Sequence, residues 1–356
     1  MKKLLLFILL IIPISTLAFS SSSSGAIMMD MNGKIYYAYN SHVQRPVASI
    51  SKIMTAIIAV ESGKLDEIVT VGEEINKSYG SGIYIKVGEE ISLRDLIYGL
   101  MLRSGNDAAL AIAHFVGGDV DTFIKMMNDK AAELEMKNSA FNNPHGLDDD
   151  GGNYSTAYDM AILTKYANQN EEYRKIAGTK NHKVETNMNY YSWTNKHRLV
   201  VNYDYITGGK TGFTDVARRT LVTTASKDGI ELIVVTLNNG NDFKDHISLV
   251  NEVFNNYTNH IILASGTVNI LGEDFYTKNR LYTKNDISYV LSNKDNNILL
   301  NFKLERKRGF SDGDQVGIVE LYINGEKKLE ENIYVGTIEE TRVSFWERII
   351  NWFRNI

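Results

Sequence analysis

Residues 46–58, Pro46-Val47-Ala48-Ser49-Ile50-Ser51-Lys52-Ile53-Met54-Thr55-Ala56-Ile57-Ile58, constrain this chain more than any other stretch. A proline, a serine able to cap and then an almost polar-free run read as the start of a buried helix, around which the rest must be organised. Residues three apart on a helix share a face, about 5–6 Å apart at Cβ, so Ser49 and Lys52 look at one another across one turn. A hydroxyl at a helix N-terminus beside an amine, in apolar surroundings, is one way to make a nucleophile. Taken alone the pair fits equally a capping serine and a surface lysine, since both residue types are common. The spacing S-x-x-K, however, occurs once in the chain and is followed by Ser104-Gly105-Asn106 and Lys210-Thr211-Gly212, each also occurring once.

Composition removes several classes of function. The chain has 356 residues, room for two domains, and 44% hydrophobic with 23% charged residues is an ordinary globular balance. A net charge of -5 lacks the basic excess that nucleic-acid binding needs. With no cysteine there is no thiol nucleophile, disulfide framework or cysteine zinc site, and no metal or cofactor is expected. Met1-Lys2-Lys3 followed by an apolar run from Leu4 to Ile14 is too short to span about 30 Å of hydrocarbon comfortably. Residues 1–20 read as a secretory signal peptide cleaved near Ala18 or Ser20, the alternative being an uncleaved anchor.

Residues 26–39 are expected to form a β-hairpin about Asn32-Gly33. The nucleophile helix should end near Gly63, with short strands at 68–71 and 83–85. Ser92 and Asp95 have capping-box spacing and open a helix through Leu102. Ser104 and Asn106 then lie on a tight connection to a second apolar helix over 108–116. That connection either presents both side chains to a cleft or is an ordinary turn capped at Asn106. An amphipathic helix over 121–136 presents a core stripe. Asp148, Asp149 and Asp150 lack the spaced ligands of a calcium loop, and His145 either binds substrate or holds its loop. A capped helix is expected to about Asn168, and a loop-rich stretch over 193–205. Lys210 and Thr211 are expected where an antiparallel pair over 219–225 and 231–237 begins, turning at Asp228-Gly229. A closing helix over 241–257 completes a catalytic domain of residues 26–260. Residues 265–338 read as a small all-β domain. Residues 343–356 form an amphipathic pattern rich in Trp and Phe, suited to lying in a membrane surface, with docking on the protein's own core as the alternative.

The three motifs, in this order, resemble the penicillin-binding protein and serine β-lactamase superfamily. Their flanks, with Pro144-His145-Gly146-Leu147 and Lys210-Thr211-Gly212-Phe213-Thr214-Asp215, are similar to the low-molecular-weight D-alanyl-D-alanine carboxypeptidases. The resemblance implies an α+β fold with an antiparallel sheet and a helical subdomain. It implies Ser49 as acylated nucleophile, Lys52 as base, Ser104 as proton relay and Asn106 as substrate-amide contact. Lys210 and Thr211 would receive a terminal carboxylate, and the N–H groups of Ser49 and Phe213 would form an oxyanion hole. Gly212 and His145 would complete the substrate-binding set.

Elementary chemistry is consistent with these roles. A lysine near its usual pKa of about 10.4 serves as a base near neutrality only if its ammonium is destabilised by about 4 kcal/mol. Burial, the helix N-terminus and a nearby Lys210 act in that direction, while Lys210, expected nearer the cleft mouth, keeps its charge. Arg218 and Arg219 depart from the family pattern, which has a small residue first, and either assist carboxylate binding or are solvent-facing strand charges. The expected activity is penicillin-sensitive removal of D-alanine from peptidoglycan stem pentapeptides, on the outer face of the bacterial membrane. The rivals are a β-lactamase-like hydrolase and a non-catalytic cell-wall or penicillin-binding module.

Overall fold

The computed structural model describes residues 21–306 and 308–337. The signal-peptide expectation on residues 1–20 and the terminal helix expected over 343–356 fall outside the described residues. After Asn255 the chain divides into two compact units.

The first unit is built on a five-stranded antiparallel sheet. In the order β2-β1-β11-β10-β9 it comprises β1 (Gly25–Asp30), β2 (Ile35–Tyr39), β9 (Ile206–Thr214), β10 (Arg218–Lys227) and β11 (Ile230–Leu237). The expected N-terminal hairpin forms, and β1 is buried along its whole length because it also pairs with β11. Asp228 (φ 50°) and Gly229 (φ 76°) both take left-handed backbone, as a two-residue hairpin between right-twisted strands requires.

Among the described residues eight α-helices complete this unit: α1 (Lys52–Glu61), α2 (Leu93–Tyr98), α3 (Asn106–Gly117), α4 (Val120–Glu133), α5 (Ala157–Ala167), α6 (Glu171–Ala177), α7 (Arg198–Asn202) and α8 (Asp242–Asn256). Every residue of α1 except Glu61 is buried, because α2 to α6 all pack against it. Helix α5 covers β1 and β11, and α8 docks through His246, which bonds Thr223 of β10 and Thr236 of β11. Ser92 caps α2 by accepting from the Asp95 N–H, and Thr156 caps α5 in the same way through Asp159.

Short ladders join β3 (Arg45–Pro46) to β6 (Tyr154–Ser155), β4 (Ile68–Thr70) to β5 (Glu90–Ser92) and β7 (Asn181–Glu185) to β8 (Tyr190–Thr194). Three expectations need correction. Residues 83–85 are not a strand: the Ile83 and Tyr84 N–H groups donate to the Asp107 carboxylate, and β4 pairs with β5 instead. The stretch from 193 to 205 is less loop-like than expected, since Trp193 is buried in β8 and α7 follows. Lys210 and Thr211 lie in the middle of β9, an edge strand of the main sheet.

Among its described residues the second unit is all-β after the end of α8. One sheet runs β13-β14-β18-β17-β16, with β13 (Gly266–Thr267), β14 (Asn279–Thr283), β16 (Ile298–Leu304), β17 (Gln315–Ile323) and β18 (Glu326–Thr337). A second pairs β12 (Tyr257–Leu263) with β15 (Ile287–Ser292). Val316, Val319, Leu321, Ile333 and Val335 form the centre of its core. Among the described residues no helix is long and apolar enough to cross a membrane.

Candidate active site

Ser49 stands in a single 3-10 turn, Ala48–Ser51, at the head of α1, and it does not cap the helix as the sequence suggested. The preceding Ala48 is held at φ 51°, an unfavourable backbone for a residue with a Cβ. Two contacts hold the turn. Thr220 of β10 donates to the Val47 carbonyl at 2.9 Å, and Ser51 Oγ donates to the Ala48 carbonyl at 2.9 Å. The Pro144-His145-Gly146 loop lies on the other side. A Cβ on Gly146 (φ 83°) would sit 2.2 Å from the Ala48 oxygen, so only glycine fits there.

One turn on, Lys52 is fully buried. Its Nζ lies 3.0 Å from Ser49 Oγ and donates to Asn106 Oδ1 at 2.7 Å and to the His145 carbonyl. Among the described residues none of these partners is a carboxylate. Burial first, then the charges of Lys210 and Lys196, hold its amine well below the ordinary lysine range. A neutral amine has two N–H donors, which the Asn106 and His145 oxygens accept. Its lone pair then faces the Ser49 hydroxyl, the geometry of a general base.

Helix α2 runs into one π-helical turn, Gly99–Arg103, and Ser104 follows in left-handed conformation (φ 65°). That irregularity turns Ser104 Oγ toward β9, where Lys210 Nζ donates to it at 3.0 Å. Lys210 does not sit at the cleft mouth: it is 1% exposed, also donates to the Thr211 carbonyl, and burial and Lys196 pull its pKa down to about 7. The ordinary charged anchor expected there is thus a half-neutral amine inside the wall. Asn106 is turned inward too, with Oδ1 accepting from Lys52 and Nδ2 donating to the Tyr79 carbonyl at 2.5 Å. His145 approaches Lys52 through its backbone. Its ring, with pKa lowered to about 3 by burial and by Lys52, is neutral and accepts from the Leu147 N–H.

A cleft of about 400 Å³ opens onto Ser49, Ser104, Thr211, Gly212 and Phe213. Gly212 brings the β9 backbone against the nucleophile turn, since a Cβ there would lie 3.0 Å from the Ser49 nitrogen and 2.4 Å from Thr220 Oγ1. The cleft's other wall was largely missed by sequence reasoning: Lys196, Arg198, Asp242 and Phe243 line it, with Ser81 beside them. Arg219, left open between two roles, is neither free nor simply solvent-facing. It pairs with Asp242 through Nη2 at 2.7 Å and Nε at 3.1 Å. No motif marks Arg198 or Phe243. The only available signal was the unexpected second arginine of β10. Among the described residues no cluster of His, Cys, Asp and Glu could hold a metal ion.

The fold defines the class, that of the penicillin-binding proteins, with a serine and a lysine 3.0 Å apart at the head of α1. The chain belongs to the D-alanyl-D-alanine carboxypeptidase family, whose model matches residues 14–241. It is 37% identical over 227 residues to D-alanyl-D-alanine carboxypeptidase DacF of Bacillus subtilis, covering 62% of this chain and 58% of the relative. It is 34% identical over 238 residues to D-alanyl-D-alanine carboxypeptidase DacA of Escherichia coli, covering 61% and 56%. The matched region thus spans little more than half the length of these curated relatives. The crystal structure of penicillin binding protein 5 from Haemophilus influenzae superposes with a TM-score of 0.74 at 25% identity, over 89% of this chain and 97% of that one.

Proposed function

We propose that this chain is a serine D-alanyl-D-alanine carboxypeptidase that removes the terminal D-alanine from peptidoglycan stem pentapeptides. The observation that carries the reading is the buried Lys52 amine, 3.0 Å from Ser49 Oγ and with no carboxylate hydrogen-bonded to it among the described residues. Ser49 Oγ attacks the carbonyl of the penultimate D-alanine while its proton passes to Lys52 Nζ. The N–H groups of Ser49 and Phe213 receive the oxyanion. Ser104, held by Lys210, passes a proton to the departing D-alanine nitrogen as it takes back the one that Ser49 gave to Lys52, and water then hydrolyses the ester on Ser49. Asn106 and the His145 carbonyl orient the base, and Thr211 and Gly212 align the substrate along β9. Lysine as the acylating base is disputed across this superfamily, so the assignment is specific to this geometry.

Residues 1–20 would export the chain. Residues 26–260 would carry the chemistry, 265–338 would space or bind, and 343–356 would rest on the outer membrane surface. Penicillin would acylate the same serine. A labelled penicillin should tag the wild type and not Ser49→Ala, and only the wild type should release D-alanine from a stem-peptide mimic. Labelling of the alanine variant would refute the nucleophile. Rapid turnover of penicillin in place of a lasting adduct would favour a β-lactamase, although among the described residues no glutamate lines the cleft.

A further inference from the structure

The larger sheet of the second unit turns Leu281, Val316, Ile333 and Val335 into its core. Their neighbours along the strands point the other way. In register, Thr267 of β13 stands opposite Tyr282 of β14, Tyr282 opposite Tyr334 of β18, and Tyr334 opposite Gln315 of β17. The four side chains make a row across four strands. The two rings lie 5.7 Å apart at their centroids, with 31° between their planes. Thr267 and Gln315 are exposed and both tyrosines half-buried, so the row faces solvent.

A cation flanks the row on each side, since Arg280 and Lys284 precede and follow Tyr282 by two residues. The Arg280 guanidinium carbon lies 5.3 Å from the Tyr282 ring centroid, and its Nε donates to Thr267 Oγ1 at 2.7 Å. Lys284 Nζ lies 3.8 Å from the Tyr334 centroid. Both side chains are exposed, and among the described residues neither pairs with a carboxylate. Asp312 stands at the edge of the row: a Cβ on Gly336, opposite Arg280, would lie 3.4 Å from its Oδ1 and 3.2 Å from the Tyr282 ring. Gln315 Nε2 donates to Asn332 Oδ1 at 2.8 Å, with the Gln315 oxygen and the Asn332 nitrogen unpaired among the described residues. A groove of about 630 Å³ opens beside Thr267 and Arg280.

Cations held against aromatic faces lose little freedom on meeting an anion. Tyrosine hydroxyls and side-chain amides are the groups that meet the hydroxyl and amide groups of sugars. Two cations in a chain of net charge -5 are too few for nucleic acid. We infer that this face docks an acidic polysaccharide, a chain of N-acetylated sugars bearing carboxylates at intervals, with Tyr282 and Tyr334 holding Arg280 and Lys284 in place. The inference rests on the carboxypeptidase reading for the source of that polymer, the glycan that carries the stem peptides. The second unit then keeps the enzyme on its polymer while the first unit works on the stems.

The test is calorimetry on the full chain with two probes: a hyaluronan decasaccharide, in which N-acetylglucosamine alternates with a uronate, and the neutral N-acetylglucosamine hexamer. The acidic probe should bind at least about 10-fold more tightly than the neutral one, and added salt should weaken the acidic probe alone. Arg280→Ala with Lys284→Ala should lower its affinity by about 10-fold, while Ser49 still takes labelled penicillin. Tyr334→Leu should weaken binding by releasing Lys284, and Tyr334→Phe, which keeps the ring, should not. Equal binding of both probes, binding that survives the double variant, or no binding overturns the assignment. So does binding of duplex DNA or of phosphatidylglycerol vesicles through Arg280 and Lys284 without binding of the oligosaccharide. If the acidic probe behaves as expected and the wild type releases no D-alanine, the carboxypeptidase reading falls while the docking face stands. D-alanine release without oligosaccharide binding keeps that reading and removes the face.

Discussion

Lys52 in the first unit and Glu320 in the second are both buried ionisable side chains, and their surroundings are opposite. Glu320 meets Lys303 at 2.9 Å and Lys327 at 2.8 Å, with Asn301 and Tyr322 also donating to it. Its carboxylate is held down to about 2, chiefly by Lys327 and then Lys303. Lys52 has only neutral oxygens for partners. Asp107, whose charge acts against the lowering of the Lys52 pKa, gives its oxygens to the N–H groups of Ile83, Tyr84 and Ala108. The β unit surrounds a buried charge with counter-charges and so keeps it. The first unit withholds the counter-charge, so that desolvation drives the proton off.

The contrast breaks most severely if Lys52 is given the partner it lacks. Asn106→Asp would put a carboxylate where Oδ1 now lies, 2.7 Å from Nζ, and hold the ammonium. D-alanine release at neutral pH should fall on the order of 100-fold, with the rising limb of kcat moved to higher pH. A pH–rate profile that keeps its midpoint would separate Lys52 from the proton transfer.

Lys210 sharpens the comparison from the stability side. Its folded pKa of about 7 lies below the ordinary lysine value of 10.5, so the unfolded chain binds the extra proton between those two values. Burying this amine therefore costs stability in full below about pH 7, and the cost fades as pH rises toward 10.5. Lys210→Met should raise the thermal midpoint at pH 6 more than at pH 10 while lowering turnover. A gain that does not depend on pH would assign the effect to packing.

The smallest effect is expected at the other pole. Glu320→Gln should leave penicillin labelling of Ser49 intact and lower the stability of the β unit above about pH 4.5. The difference from wild type should shrink as pH falls from about 4.5 toward 2, where the native carboxylate itself gains a proton. Thermal melts across that range measure it, and a difference that stays constant would mean the lysines contribute nothing through charge.

Much of the site could be read directly. Ser49 and Lys52 meet because three residues make nearly one helical turn, and the Ser92 and Thr156 caps and the Asp228-Gly229 turn form where local chemistry puts them. Errors arose where a side chain from far along the chain replaced a local bond. Residues 83 and 84 look like strand, but Asp107 takes their N–H groups. Ser49 looks like a cap, but the turn before α1 is bound by Thr220 and pressed by Gly146. Lys210 looks like a surface cation, but β9 carries it inward to Ser104.

The amino-acid sequence on its own determined which hydroxyl and which amine stand one helical turn apart, the alternation that makes the strands, and the order of the three motifs. Those properties depend on neighbours within a few residues, where bond geometry and side-chain spacing decide. Only the tertiary structure decided how deeply each amine is buried, what Asn106 holds, and which arginine pairs with Asp242. Each of those outcomes depends on how much water the whole fold excludes and on which distant donor or acceptor arrives first, and neither is a property of any short stretch of chain.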